Sequence, residues 1–82
     1  MVEARHNKAE AAIELEFSFE DKGYVEVTML DENGNLAYSY HRFHSSPKRS
    51  HCIPSDQLHG QVYLLRVAFN GDTVINEVIE LT

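Results

Sequence analysis

The chain has 82 residues and a formal net charge of −6, which bounds it to one small domain with a modest core and no room for a deep active-site cavity. The acidic balance excludes a nucleic-acid binder working through bulk charge, because phosphate binding needs a cationic footprint. No apolar run approaches the roughly 20 residues of a membrane-spanning helix, and Met1 to Ala12 has no apolar segment of the kind a secretory signal carries.

Residues 1–12 carry Glu3, Arg5, His6, Lys8 and Glu10 among alanines, with Val2 as the one larger aliphatic side chain after Met1. That composition predicts a flexible N-terminal tail, leaving 13–82 as the folded domain. From Ile13 to Phe19 the chain alternates without a fault. Ile13, Leu15, Phe17 and Phe19 fall on one face, and Glu14, Glu16, Ser18 and Glu20 on the other. This is the pattern of a strand with one buried and one wet face, and the glutamates resist edge-to-edge association. Asp21-Lys22-Gly23 turns the chain into the next strand.

Tyr24 to Leu30, then Asp31-Glu32-Asn33-Gly34-Asn35, then Leu36 to Tyr40 reads as a β-hairpin. Val25, Val27 and Met29 alternate with Glu26 and Thr28, and Tyr38 and Tyr40 alternate with Ser39 and His41. Asn33-Gly34 is the pair best suited to positive φ at both centres of a type I′ turn. A two-residue loop there pairs Met29 with Tyr38, Val27 with Tyr40, Thr28 with Ser39 and Glu26 with His41. A slip of one residue would mix the faces, so loops of two or four residues both remain open.

The third strand extends towards Phe43, and His44 to Arg49 is expected as a loop broken by Ser45-Ser46-Pro47. His51-Cys52-Ile53 suits a short strand stopped by Pro54, and Ser55 to Gly60 a turn or single helical turn. Gln61 to Phe69 is the next strand, with Tyr63, Leu65, Val67 and Phe69 on one face. Asn70-Gly71-Asp72 reverses the chain into Thr73 to Leu81. There Ile75, Ile79 and Leu81 share a face with Glu77, while Val74 and Val78 share the other. Either register fits, with a bulge at Gly71 as one way to reach it. Both faces being apolar, one needs a cover: a neighbouring strand, the N-terminal residues or a partner chain.

His41, Arg42, His44, Lys48, Arg49 and His51 form a locally basic stretch, with no acid between Glu32 and Asp56. It is the candidate binding site, an anion or acidic-ligand contact that would strengthen below about pH 6.5 as histidines charge. His41 and His44, three apart, point to opposite faces of a continuous strand. No Cys-x-x-Cys or His-Glu-x-x-His frame supports a metal, and nothing implies a cofactor. Cys52, the lone cysteine, has no intramolecular disulfide partner and reads as a small buried hydrophobe. No nucleophile stands beside a base, there is no Gly-rich phosphate loop, and no catalytic residue can be named, so an enzyme is not expected.

These elements predict an all-β, immunoglobulin-like antiparallel β-sandwich of six or seven strands. Its core would hold Ile13, Leu15, Phe17, Val25, Val27, Met29, Tyr38, Tyr40, Tyr63, Leu65 and Val67. Val25-x-Val27 through Leu30-Asp31-x-x-Gly34, followed by Leu58-x-Gly60-x-x-Tyr63-x-Leu65-x-Val67, resembles the immunoglobulin-like C-terminal sorting domains of bacterial Por-type secretion and related small secreted domains. The resemblance spans about residues 13 to 81 and carries over no catalytic residue. It implies an extracytoplasmic or secreted, non-enzymatic accessory module. Such a module would bind a protein partner or a second copy of itself through a strand edge or an apolar sheet face.

Overall fold

A computed structural model of the chain describes residues 2–19, 22–45 and 48–81, apart from the side chain of Gln57. Among them are seven strands: β1 (Val2–Asn7), β2 (Ala12–Ser18), β3 (Gly23–Leu30), β4 (Leu36–His44), β5 (Lys48–Pro54), β6 (Val62–Phe69) and β7 (Asp72–Glu80), with one 3₁₀ turn at Ser55–Gln57. They form two antiparallel sheets, ordered β1-β2-β5 and β4-β3-β6-β7. This is an immunoglobulin-like sandwich whose fourth strand pairs with the third, in the larger sheet, rather than with the fifth. Asp21 of the expected Asp21-Lys22-Gly23 turn, and Ser46 and Pro47 of the expected loop, lie outside the described residues.

The alternation seen in the sequence is what builds the core. Ile13, Leu15 and Phe17 of β2, Val25, Val27 and Met29 of β3, and Tyr63, Leu65 and Val67 of β6 are all buried, each at 3 % exposure or less. The central strands of the two sheets supply nearly all of it, and each such side chain contributes about 1.5–3 kcal/mol by leaving water. Ile53 of β5 belongs to the same core, although Pro54 truncates its strand in the sequence pattern. Tyr38 and Tyr40, expected in the core, are half-buried on the edge strand β4 and pack against it.

Three expectations are corrected. Residues 2–7 are not a tail: β1 pairs with β2 from Val2↔Phe17 to Asn7↔Ala12. Its inward residues, Val2, Ala4 and His6, are small or polar, so the strand carries no strong apolar signal. His44 and residues 48–49 of the expected loop are strand instead, since β4 runs through His44 and β5 begins at Lys48. Cys52 is exposed, because it sits opposite Glu14 on the outer face of its sheet.

The β3–β4 register is as expected, with Met29↔Tyr38, Val27↔Tyr40, Thr28↔Ser39 and Glu26↔His41. The turn differs from both expected loops. Leu30↔Leu36 closes five residues, and a register shift between Met29 and Leu30 absorbs the odd residue, which keeps the faces sorted. In β7 the shift falls opposite the Val67/Ala68 step rather than at Gly71. That turns Ile75, Ile79 and Leu81 onto the core and leaves Val74 and Val78 exposed.

One corner is pinned by a phenol. Tyr63 at the start of β6 is 3 % exposed, and its hydroxyl accepts the Gly60 N–H at 2.6 Å. This is the tyrosine corner of immunoglobulin-like sandwiches, in which the sixth strand hydrogen-bonds back to the turn that precedes it.

Candidate functional site

β4 and β5 are consecutive edge strands of opposite sheets, so their inward faces meet along one open side of the sandwich. Alternation then sorts the basic stretch. On β4, Tyr38, Tyr40, Arg42 and His44 share the inward face, because Arg42 lies opposite the buried Val25 and Tyr40 opposite Val27. On β5, Arg49 lies opposite Phe17, His51 opposite Leu15 and Ile53 opposite Ile13, all inward. The seam between the strands is therefore lined by Arg42, His44, Arg49 and His51, with two tyrosines.

The other two basic candidates leave the site. His41 lies opposite Glu26 on the outer face of the four-stranded sheet. Lys48 lies opposite Ser18 on the outer face of the three-stranded one. The six residues of the sequence pattern are thus split among three surfaces. Period 2 places them there, and a loop reading had no means of separating them.

The seam is a chain of rings. The Tyr38 hydroxyl meets His51 Nε2 at 2.5 Å. The Tyr40 ring stacks on the His51 ring with centroids 3.9 Å apart and planes 23° from parallel, and its hydroxyl lies 3.4 Å from His44 Nε2. His44 in turn sets its ring edge-on to Phe17 at 5.3 Å. Tyr38 and Tyr40 were legible as apolar-side residues; that they would meet the histidines was not, since β4 and β5 belong to different sheets.

Burial raises the Tyr38 pKa, with Tyr40 adding to it, so the phenol keeps its proton at neutral pH. In the tautomer whose Nε2 accepts that proton, the neutral His51 ring carries hydrogen on Nδ1. Burial lowers the pKa of His51. It also lowers that of His44, where the positive charges of Arg49 and Arg42 and then His51 add to the effect. Both rings therefore take up a proton at a lower pH than a free imidazole does.

His44 is 2 % exposed, and its Nδ1 has no hydrogen-bond partner among the described residues. Arg5 makes the ion pairs found among the described residues, with Glu14 at 3.3 Å and Glu16 at 3.4 Å; neither Arg42 nor Arg49 has one. A surface cleft of about 500 Å3 opens beside Arg49, lined also by Lys48, Phe17, Ser18, Ser50, Glu3 and Glu16. Among the described residues no three metal-ligating side chains converge.

A second surface stands apart from the seam. Lateral pairing aligns Leu36 with Leu30, Leu30 with Leu64 and Leu64 with Val78. The result is an aliphatic row that crosses all four strands of the larger sheet on its outer face. Its two ends are the most open, with Leu36 at 61 % and Val78 at 64 % exposure. The sequence pattern marked the apolar second face of β6 and β7, but the row's continuity depends on which strands are neighbours, which alternation does not encode.

Among the described residues no helix is long and apolar enough to cross a membrane. Compared with protein-family models, with curated proteins and with solved structures, the chain finds no match, and its fold is what it can be described by.

Proposed function

We propose that this domain is a non-catalytic binding module that contacts another polypeptide through the outer face of its four-stranded sheet. The observation that carries the reading is the aliphatic row Leu36–Leu30–Leu64–Val78, unbroken across four strands and most open at its two ends. A solvated sheet face normally alternates apolar-in and polar-out; four aliphatic side chains in a line on the wet side favour burial against something else. The row ends at the edge strands β4 and β7, so a partner seated on it would also reach unpaired backbone groups. A second copy of the chain is the occupant most directly tested. An extracytoplasmic setting for the module rests on the sequence resemblance alone.

Sedimentation velocity over a rising concentration series tests the reading, on the wild type and on L36D/V78D. Both positions are exposed strand sites, so the variant is expected to keep its fold. Self-association of the wild type that the double substitution abolishes supports the sheet face. Association that survives the substitutions, or none up to millimolar concentration, removes a second copy from this face.

A further inference from the structure

We propose that the seam between β4 and β5 is an oxyanion site, built for a tetrahedral oxyanion such as a phosphate or sulfate ester. It is a different surface from the aliphatic row and does not depend on it. The first ground is charge. In a chain with 13 acidic and 7 basic side chains, two arginines without ion pairs among the described residues are held on facing strands. The charges of the described residues that act on His44 between them are all cationic.

The second ground is an unmet hydrogen bond. His44 Nδ1 is buried with no hydrogen-bond partner among the described residues, and in the tautomer whose Nε2 accepts from the Tyr40 hydroxyl it is an N–H donor without an acceptor. A buried donor without an acceptor costs about 1–3 kcal/mol, which an oxygen ligand would return. The shape of the site sets the ligand class. One guanidinium fork saturates a planar carboxylate. Two forks carried by edge strands of opposite sheets suit a group with oxygens on more than one side. Two fixed positive charges also match a phosphate monoester, which is mostly a dianion at pH 7, without help from the histidines.

The test follows backbone amide signals of the intact chain at pH 7.5 while inorganic phosphate, inorganic sulfate or acetate is added at constant ionic strength. Saturable shifts at residues 42–44 and 49–51 with phosphate or sulfate, and weaker ones with acetate, are expected. R42Q and R49Q should each weaken binding roughly tenfold, as expected for one charge-assisted hydrogen bond, and the double variant should abolish it. The control is K8Q/R66Q, which removes the same charge from the β1–β2 turn and the outer sheet face and should change affinity by less than about twofold, since distant exposed charges are screened. Equal weakening by the control, equal binding of acetate, or no saturable shift would overturn the site. O-phosphoserine and glucose 6-sulfate then separate the two ester sources. Saturable binding of either at the seam supports the assignment, and failure of both counts against it.

Discussion

The chain contains the dipeptide Asn-Gly twice, between β3 and β4 and between β6 and β7, and the two copies make different turns. Between β6 and β7, Phe69↔Asp72 closes a two-residue loop. Asn70 and Gly71 both take positive φ, +50° and +87°, which is the type I′ geometry that matches strand twist. Between β3 and β4, Gly34 takes positive φ, +81°, and Asn33 does not. The cause is Asp31. Its Oδ1 accepts the N–H groups of Asn33 and Asn35, each at 2.9 Å, while its carbonyl accepts the Gly34 N–H at 3.0 Å. An acidic side chain ahead of the dipeptide captures the turn amides and holds a wider loop. In the second hairpin the acid, Asp72, follows the dipeptide, and the Asn70 side chain faces another strand, its Oδ1 accepting the Tyr24 N–H at 2.9 Å. A dipeptide is thus a weaker determinant than the hydrogen-bonding group beside it.

The largest way to break the comparison is at Gly23. A Cβ there would lie 2.5 Å from Phe69 Cε2 and 2.6 Å from both side-chain amide atoms of Asn70. Phe69 cannot swing away easily, because it stacks on Phe19 at 4.2 Å with planes 5° apart. G23A should therefore cost about 2–3 kcal/mol by overpacking, read as a lower urea midpoint at unchanged slope. A loss below about 0.5 kcal/mol would mean the second hairpin is not docked on β3 as described.

The paired asparagines give the next effect. N70A removes the acceptor for Tyr24 N–H and puts alanine at positive φ, so about 1–2 kcal/mol should be lost. N33A touches no hydrogen bond of its side chain and no positive φ, so its expected change is within about 0.5 kcal/mol. Equal losses would show that both copies act through the same turn. D31A is smaller than N70A, about 1 kcal/mol, since the two amides it frees are exposed and water can take them. It also removes what holds the loop wide. Amide–amide nuclear Overhauser effects should then report whether Leu30 moves from Leu36 to Ala37, the pairing that a two-residue type I′ loop requires.

How much could be read without coordinates follows the same logic. Val25, Val27 and Met29 fixed the β3–β4 register because a slip would have set core side chains in water. β1 escaped because Ala4 and His6 occupy its inward positions, and neither has the bulk that marks a buried face. The first half of β5, ahead of the expected strand at His51-Cys52-Ile53, escaped for a sharper reason. The inward positions Arg49 and His51 are polar, so the alternation that identifies strands reads as noise. The residues that defeat the pattern are those of the candidate seam, as expected where local sequence serves a site rather than a core. The aliphatic row was half legible. Val62, Leu64 and Val78 stood out as apolar on a second face, but their union with Leu30 and Leu36 needed the strand order.

The pH response sharpens the comparison last, because it is absent at neutrality and separates the hairpins by their far ends. β4 ends in His44; β7 carries no histidine. The folded-state pKa of His44 is lowered by burial and by the arginines, whereas the unfolded chain titrates near 6.5. Below about pH 6.5 the unfolded state therefore binds a proton that the folded state refuses, and stability falls as pH falls until the lowered folded value is passed. His51, lowered by burial on the facing strand, acts in the same direction. Between pH 8 and 7 neither contributes. Hydrogen exchange at pH 7 and pH 5, corrected for intrinsic rates, should show β4 and β5 amides losing protection relative to β7. H44F, which fills the same space against Phe17 and Tyr40 without a titrating group, should reduce that difference. If β7 loses protection in step with β4, the acid sensitivity is global and does not belong to the seam.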